Sequence, residues 1–121
     1  MEEINVLCID DEEELVSAWV ERLLMRGIEA EGVTNGHDAI QRVKEKKFDV
    51  VILDIKMPGI GGFEIMKRIK TERPDLPVIL ITGHQCQDEE NEGMLAGSFE
   101  CLIKPVDIEV LVENIMKAVK I

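Results

Sequence analysis

Several residues able to do chemistry stand directly behind short apolar runs in this chain. Asp10 and Asp11 follow Val6-Leu7-Cys8-Ile9, and Asp54 follows Val50-Val51-Ile52-Leu53. Thr82 follows Val78-Ile79-Leu80-Ile81, and Lys104 follows the run from Phe99 to Ile103. Three carboxylates, a hydroxyl and an amine brought to one place would have a definite capability. Crowded carboxylates repel and raise one another's pKa unless a cation neutralises them. A hard divalent ion that takes oxygen ligands and keeps several waters suits such a set, which points to Mg²⁺. A carboxylate in that setting is also a nucleophile toward phosphorus, giving an aspartyl phosphate. Lys104 and Mg²⁺ would offset the charge on the phosphoryl oxygens, and the Thr82 hydroxyl would donate to one of them.

Convergence depends on the elements between these residues. Leu15, Trp19 and Leu23 recur at helical spacing, with Val16, Val20 and Leu24 beside them, and Gly27 stops that helix. Ile28-Glu29-Ala30-Glu31 alternates as a strand with one wet side would, and Asn35-Gly36 opens a helix carrying Ala39, Ile40 and Val43. Met57-Pro58-Gly59 and Gly61-Gly62 make the loop after Asp54, and Phe63, Met66 and Ile69 start a helical stripe that Pro74 closes. Asp107 can cap a last helix carrying Leu111, Ile115 and Val119. Strands alternating with helices through short loops specify an α/β domain with a five-stranded parallel sheet. Continuous apolar runs belong inside the sheet and the alternating second strand at an edge, which fits the flavodoxin-like order 2-1-3-4-5. Ligands in such sheets bind beyond the carboxyl ends of the strands, where all the singled-out residues fall.

Each residue also has a plain structural reading. Asp10-Asp11 ahead of Glu12-Glu13-Glu14 could merely favour a helix N-terminus, Asp54 could be a turn residue, Thr82 a loop hydroxyl and Lys104 a solvated charge. Their recurrence at four strand ends on one rim is what those readings cannot supply. With 121 residues, 45% hydrophobic and 32% charged, the chain is the size of one domain, 1–121, with a continuous core. Acidic residues outnumber basic ones 25 to 14, for a net charge of −11, so nucleic acid and anionic membranes are poor partners. No apolar run approaches the ~20 residues of a bilayer span and no signal sequence opens the chain, so a cytoplasmic location is expected. Three cysteines without CxxC spacing, two of them in apolar runs, make disulfides and zinc poor expectations.

The stretches LCIDDEEE, VVILDIKMPGIGG, VILITGH and CLIKP resemble a two-component response-regulator receiver, and the resemblance covers residues 4–121. It implies that Asp54 is the phosphoacceptor and that Asp11, Asp54 and the backbone carbonyl of Lys56 bind Mg²⁺. Asp10 would support the metal through water, Thr82 would be the switch hydroxyl and Lys104 the phosphate-pairing cation. The phosphoryl group would come from a sensor histidine kinase or phosphotransfer protein, and the domain would catalyse its own phosphorylation and dephosphorylation without being an enzyme in the ordinary sense. Homodimerisation on phosphorylation stays open. The family resemblance also implies a cis Lys104-Pro105 bond.

Two departures from the family pattern stand out. The position usually held by a Tyr or Phe, three before the lysine, is Cys101, with Phe99 expected on the same face of the strand. Gly61 stands where Asp is common. The segment 85–98 should supply a helix, but its acids, its Gly93 and its lack of an apolar stripe predict a short, frayed or displaced one that orders on phosphorylation. A dehalogenase-type phosphatase would want a second Asp where Lys56 stands, and a flavodoxin a phosphate-cradling loop where the chain has five consecutive acids. The alternatives that survive are an interaction module signalling without phosphorylation, and a receiver cut from a larger transcription regulator. TGH after the fourth strand resembles receivers attached to σ54-dependent activators, while an end at Ile121 also suits a stand-alone regulator.

Overall fold

Apolar runs of about five residues, each closed by a charge or a turn, become strands, and the longer amphipathic stretches between them become helices. The computed structural model describes residues 3–55, 61–83 and 98–119. The order is β1 (Asn5–Ile9), α1 (Glu13–Leu24), β2 (Glu29–Val33), α2 (Gly36–Glu45), β3 (Val50–Asp54), α3 (Gly62–Glu72), β4 (Val78–Thr82), β5 (Glu100–Ile103) and α4 (Ile108–Val119). The strands form one sheet in the order β2-β1-β3-β4-β5 with every pairing parallel, as expected from the sequence. β3 and β4 are buried along their whole length, whereas β2 and β5 lie at the edges and are only partly covered.

Alternation along the strands splits the core into two layers. Leu7, Ile9, Val51, Leu53, Val78 and Leu80 face α2 and α3, meeting Ala39, Val43, Ile65, Met66 and Ile69. Val6, Cys8, Val50, Ile52, Ile79 and Ile81 face α1 and α4, meeting Val16, Trp19, Leu23, Leu111 and Ile115. Ile69 is fully buried, so Ile69→Ala would cost about 2–5 kcal/mol from lost transfer energy and the cavity left behind. Two of the described helix starts carry side-chain caps. Asn35 Oδ1 accepts from the Asp38 amide at 2.8 Å at the head of α2, and Asp107 Oδ1 accepts from the Glu109 amide at 2.7 Å at the head of α4.

Three details differ from the sequence reading. Phe63 is half exposed, and Ile65 takes its place in the core stripe of α3. Phe99 precedes β5 and joins the α1–α4 layer, while Cys101 lies against the α2–α3 layer, so the two do not share a face. Cys8 is free and buried as expected, but Cys101 is disulfide-bonded. The chain's remaining cysteine, Cys86, lies outside the described residues. The Lys104-Pro105 bond is cis, as anticipated. The expected helix over 85–98 lies outside the described residues apart from Ser98. No described helix is long and apolar enough to cross a membrane.

Candidate functional site

The sheet's hydrogen-bond ladder runs on past the strand ends, and this is what fixes the charged residues there. Asp10 N donates to Val33 O at 3.3 Å, Ile55 N to Ile81 O at 3.0 Å, and Lys104 N to Thr82 O at 2.7 Å. The last bond ties the lysine to the threonine, and the second holds the peptide just after Asp54. Side chains at the carboxyl rim therefore start from a rigid base, with Asp54 beside Ile81 and Thr82 beside Ile103 in register.

Asp10, Asp11 and Asp54 each offer a carboxylate oxygen within 4.8 Å of the others. Asp10 and Asp54 are buried and Asp11 faces solvent, so the cluster is open on one side. The Lys104 ammonium reaches into it, 2.9 Å from Asp10 Oδ2 and 3.4 Å from Asp54 Oδ2. The Asp10 contact is a close ion pair, while Asp10 Oδ1 accepts from the Glu12 amide at 3.0 Å. Asp10 thus serves both the site and the turn into α1.

Partial burial pulls the Lys104 pKa down, but the Asp10 and Asp54 carboxylates outweigh it and hold the amine above its ordinary value. Lys104 stays a cation. A third acid, Glu12, which sequence reasoning did not single out, places Oε1 3.8 Å from the same ammonium. Its only signal was its place in the acidic run, where a helix-start explanation sufficed. Thr82 is fully buried at the end of β4, next to the strand that carries Asp54. Lys56 lies outside the described residues, so the structure brings together Asp10, Asp11, Asp54 and Lys104, with Thr82 at the adjoining strand end.

Four acids around one lysine leave an excess of negative charge in a small, partly desolvated space. Such a pocket attracts a hard cation and repels an anionic ligand that arrives without one.

Comparison with known proteins agrees with this geometry. The response regulator receiver domain family matches residues 6–116. The transcriptional regulatory protein ZraR of Klebsiella oxytoca is 32% identical over 117 residues, covering 91% of this chain and 25% of its own length. The chain thus spans about a quarter of that curated relative. A receiver domain from Clostridium thermocellum superposes with a TM-score of 0.88 at 33% identity, covering 97% of this chain and 94% of the other. The Thermotoga maritima response regulator TrrA, solved in complex with Mg²⁺ and BeF, gives a TM-score of 0.85 at 29% identity, covering 95% and 98%. With the fold, the rim of carboxylates and the family match in agreement, this chain belongs to the response-regulator receiver family of two-component systems.

Proposed function

We propose that Asp54 accepts a phosphoryl group from the phosphohistidine of a sensor kinase or phosphotransfer protein and returns it to water, switching the domain's protein contacts. The observation that carries this reading is the convergence of Asp10, Asp11 and Asp54 within 4.8 Å around the Lys104 ammonium. In the transfer, an Asp54 carboxylate oxygen forms a bond to phosphorus as the phosphorus–nitrogen bond of the donor breaks. The leaving imidazole keeps the bonding pair and takes up a proton. Lys104, already 3.4 Å from Asp54 Oδ2, would move to a phosphoryl oxygen, and the Thr82 hydroxyl would donate to another.

The donor set fits Mg²⁺. Oxygens on one Mg²⁺ stand at most about 4.2 Å apart, so small side-chain adjustments would close a set now within 4.8 Å. Asp11, Asp54 and the Lys56 backbone carbonyl would hold the ion, with Asp10 acting through water. When bound it would neutralise charge on the phosphoryl group and on the carboxylates. The Mg²⁺ in the TrrA complex supports this choice of metal.

Acetyl phosphate with and without Mg²⁺, read by intact mass, tests the proposal. A Mg²⁺-dependent adduct that Asp54→Asn removes is expected; full labelling of that variant would overturn the assignment. A phosphorylation-independent interaction module is the second reading, and absence of any adduct on the wild type would favour it. The length and name of ZraR support a larger transcription regulator as the parent protein; we place the receiver in the cytoplasm, where a phosphohistidine donor would meet it.

A further inference from the structure

Gly62 is the first residue of α3 and is buried, and the space its side chain would need is filled by backbone. A Cβ at this position would lie 2.4 Å from the Ile55 carbonyl oxygen, 2.9 Å from Ile55 Cα and 3.0 Å from the Ile55 carbonyl carbon. Ordinary contact begins at 3.4 Å, so the oxygen and the helix start would have to separate by about 1 Å. No flexible side-chain end is there to give way. Ile55 is held on one side by its hydrogen bond to Ile81 O at 3.0 Å. Its own side chain is buried in the layer that also anchors α3 through Ile65, Met66 and Ile69.

Ile55 immediately follows Asp54. We infer that Gly62 is a positioning residue for the rim: by lacking a Cβ it lets α3 begin against the peptide that leaves β3, and so fixes where the Asp54 carboxylate stands relative to Asp10, Asp11 and Lys104. The inference rests on the reading of Asp54 as phosphoacceptor. Functional groups must be held within about 0.5 Å of their working geometry, and a 1 Å displacement can cost ~100-fold in rate. The adjacent Gly61 supplies an internal contrast. It has φ −66° and ψ 158°, and a Cβ there would meet nothing within 4 Å.

The test compares wild type, Gly62→Ala and Gly61→Ala. Labelling rate by acetyl phosphate is read by intact mass, Mg²⁺ affinity by calorimetry, and metal-free stability by urea unfolding. Gly62→Ala is expected to label ~100-fold more slowly and bind Mg²⁺ about tenfold more weakly, with Gly61→Ala matching the wild type in both. A role in packing alone would lower the urea midpoint of Gly62→Ala and leave its labelling rate and Mg²⁺ affinity unchanged, which would overturn the inference. Should Gly62→Ala not fold in buffer, the same titrations are run in sucrose, which favours the compact state. An unlabelled wild type would remove the phosphoacceptor reading itself, whereas a normally labelled Gly62→Ala removes only the inference.

Discussion

Two lysines, one at each end of the sheet, show how differently the same side chain is used. At the amino end, Lys70 Nζ donates to the Leu76 carbonyl at 2.6 Å, and burial lowers its pKa although Asp75 pulls the other way. At the carboxyl end, Lys104 also loses solvent, yet Asp10 and Asp54 prevail and raise its pKa. Other charges at the amino end are spent on local structure. Asn5 N donates to Asp49 Oδ2 at 2.8 Å and Asp49 N to Asn5 O at 2.8 Å, a closed reciprocal pair. At the carboxyl end the acids gather around a single lysine, more charge than local structure requires. Dispersed and individually satisfied charges build a turn; converging and undercompensated ones build a binding site.

The sharpest way to break this contrast is to neutralise one aspartate at each end. Asp54→Asn should abolish phosphate incorporation while the far-UV circular dichroism of the fold persists. Asp49→Ala should leave incorporation intact and lower stability by about 1 kcal/mol in urea unfolding, because the Asn5 amide loses its acceptor. Labelling that depends equally on both residues would erase the distinction.

A smaller effect should come from relaxing the crowding. Asp11→Asn is expected to weaken Mg²⁺ binding at least tenfold by calorimetry and to slow phosphorylation, yet to raise metal-free stability, since one of three close carboxylates no longer repels the others. Loss of metal-free stability in this variant would mean that the rim carries no strain from its charges.

The smallest effect concerns acid sensitivity outside both ends. Glu31 is clasped by Arg42, with Nε to Oε2 at 2.6 Å and Nη2 to Oε1 at 3.0 Å, and Lys46 adds 3.3 Å to the same carboxylate. The Arg42 hydrogen bond, against a little desolvation, holds the Glu31 pKa below its ordinary 4.5. A depressed carboxylate contributes stability that is present above the ordinary value and lost as pH falls through the lower folded one. Glu31→Gln should therefore lower stability near neutrality slightly and flatten the acid limb of the stability curve by the same small amount, because a pair about one-third exposed is partly screened by solvent.

How much of this was legible in the residues depends on whether a signal is local. β1, β3 and β4 announce themselves as unbroken apolar runs, and residues set at their ends had to share a rim once the sheet was parallel. Asn35 and Asp107 were readable as helix starts because capping needs only the next few amides. Phe63 misled because the helical period accommodates a stripe through Phe63 or through Ile65, and only packing against β3 chooses between them. The sidedness of Phe99 failed because strand alternation does not extend to a residue before the strand. The disulfide at Cys101 could not be read from spacing, since pairing depends on distances across the fold. Glu12 was hidden by its neighbours, whose charge at a helix start already had a sufficient cause.

The division of the core into two layers has an optical consequence. The chain has no tyrosine and one tryptophan, and Trp19 is 3% exposed in the layer between the sheet and the pair α1 and α4. Its emission is expected to be that of a shielded indole and to answer to the packing of that layer. Rearrangements confined to α2, α3 and the opposite face occur behind the sheet, out of its sight. A fluorescence-monitored titration of the unmodified protein thus watches one half of the molecule, and a change seen there on phosphorylation would mean that the signal had crossed the sheet.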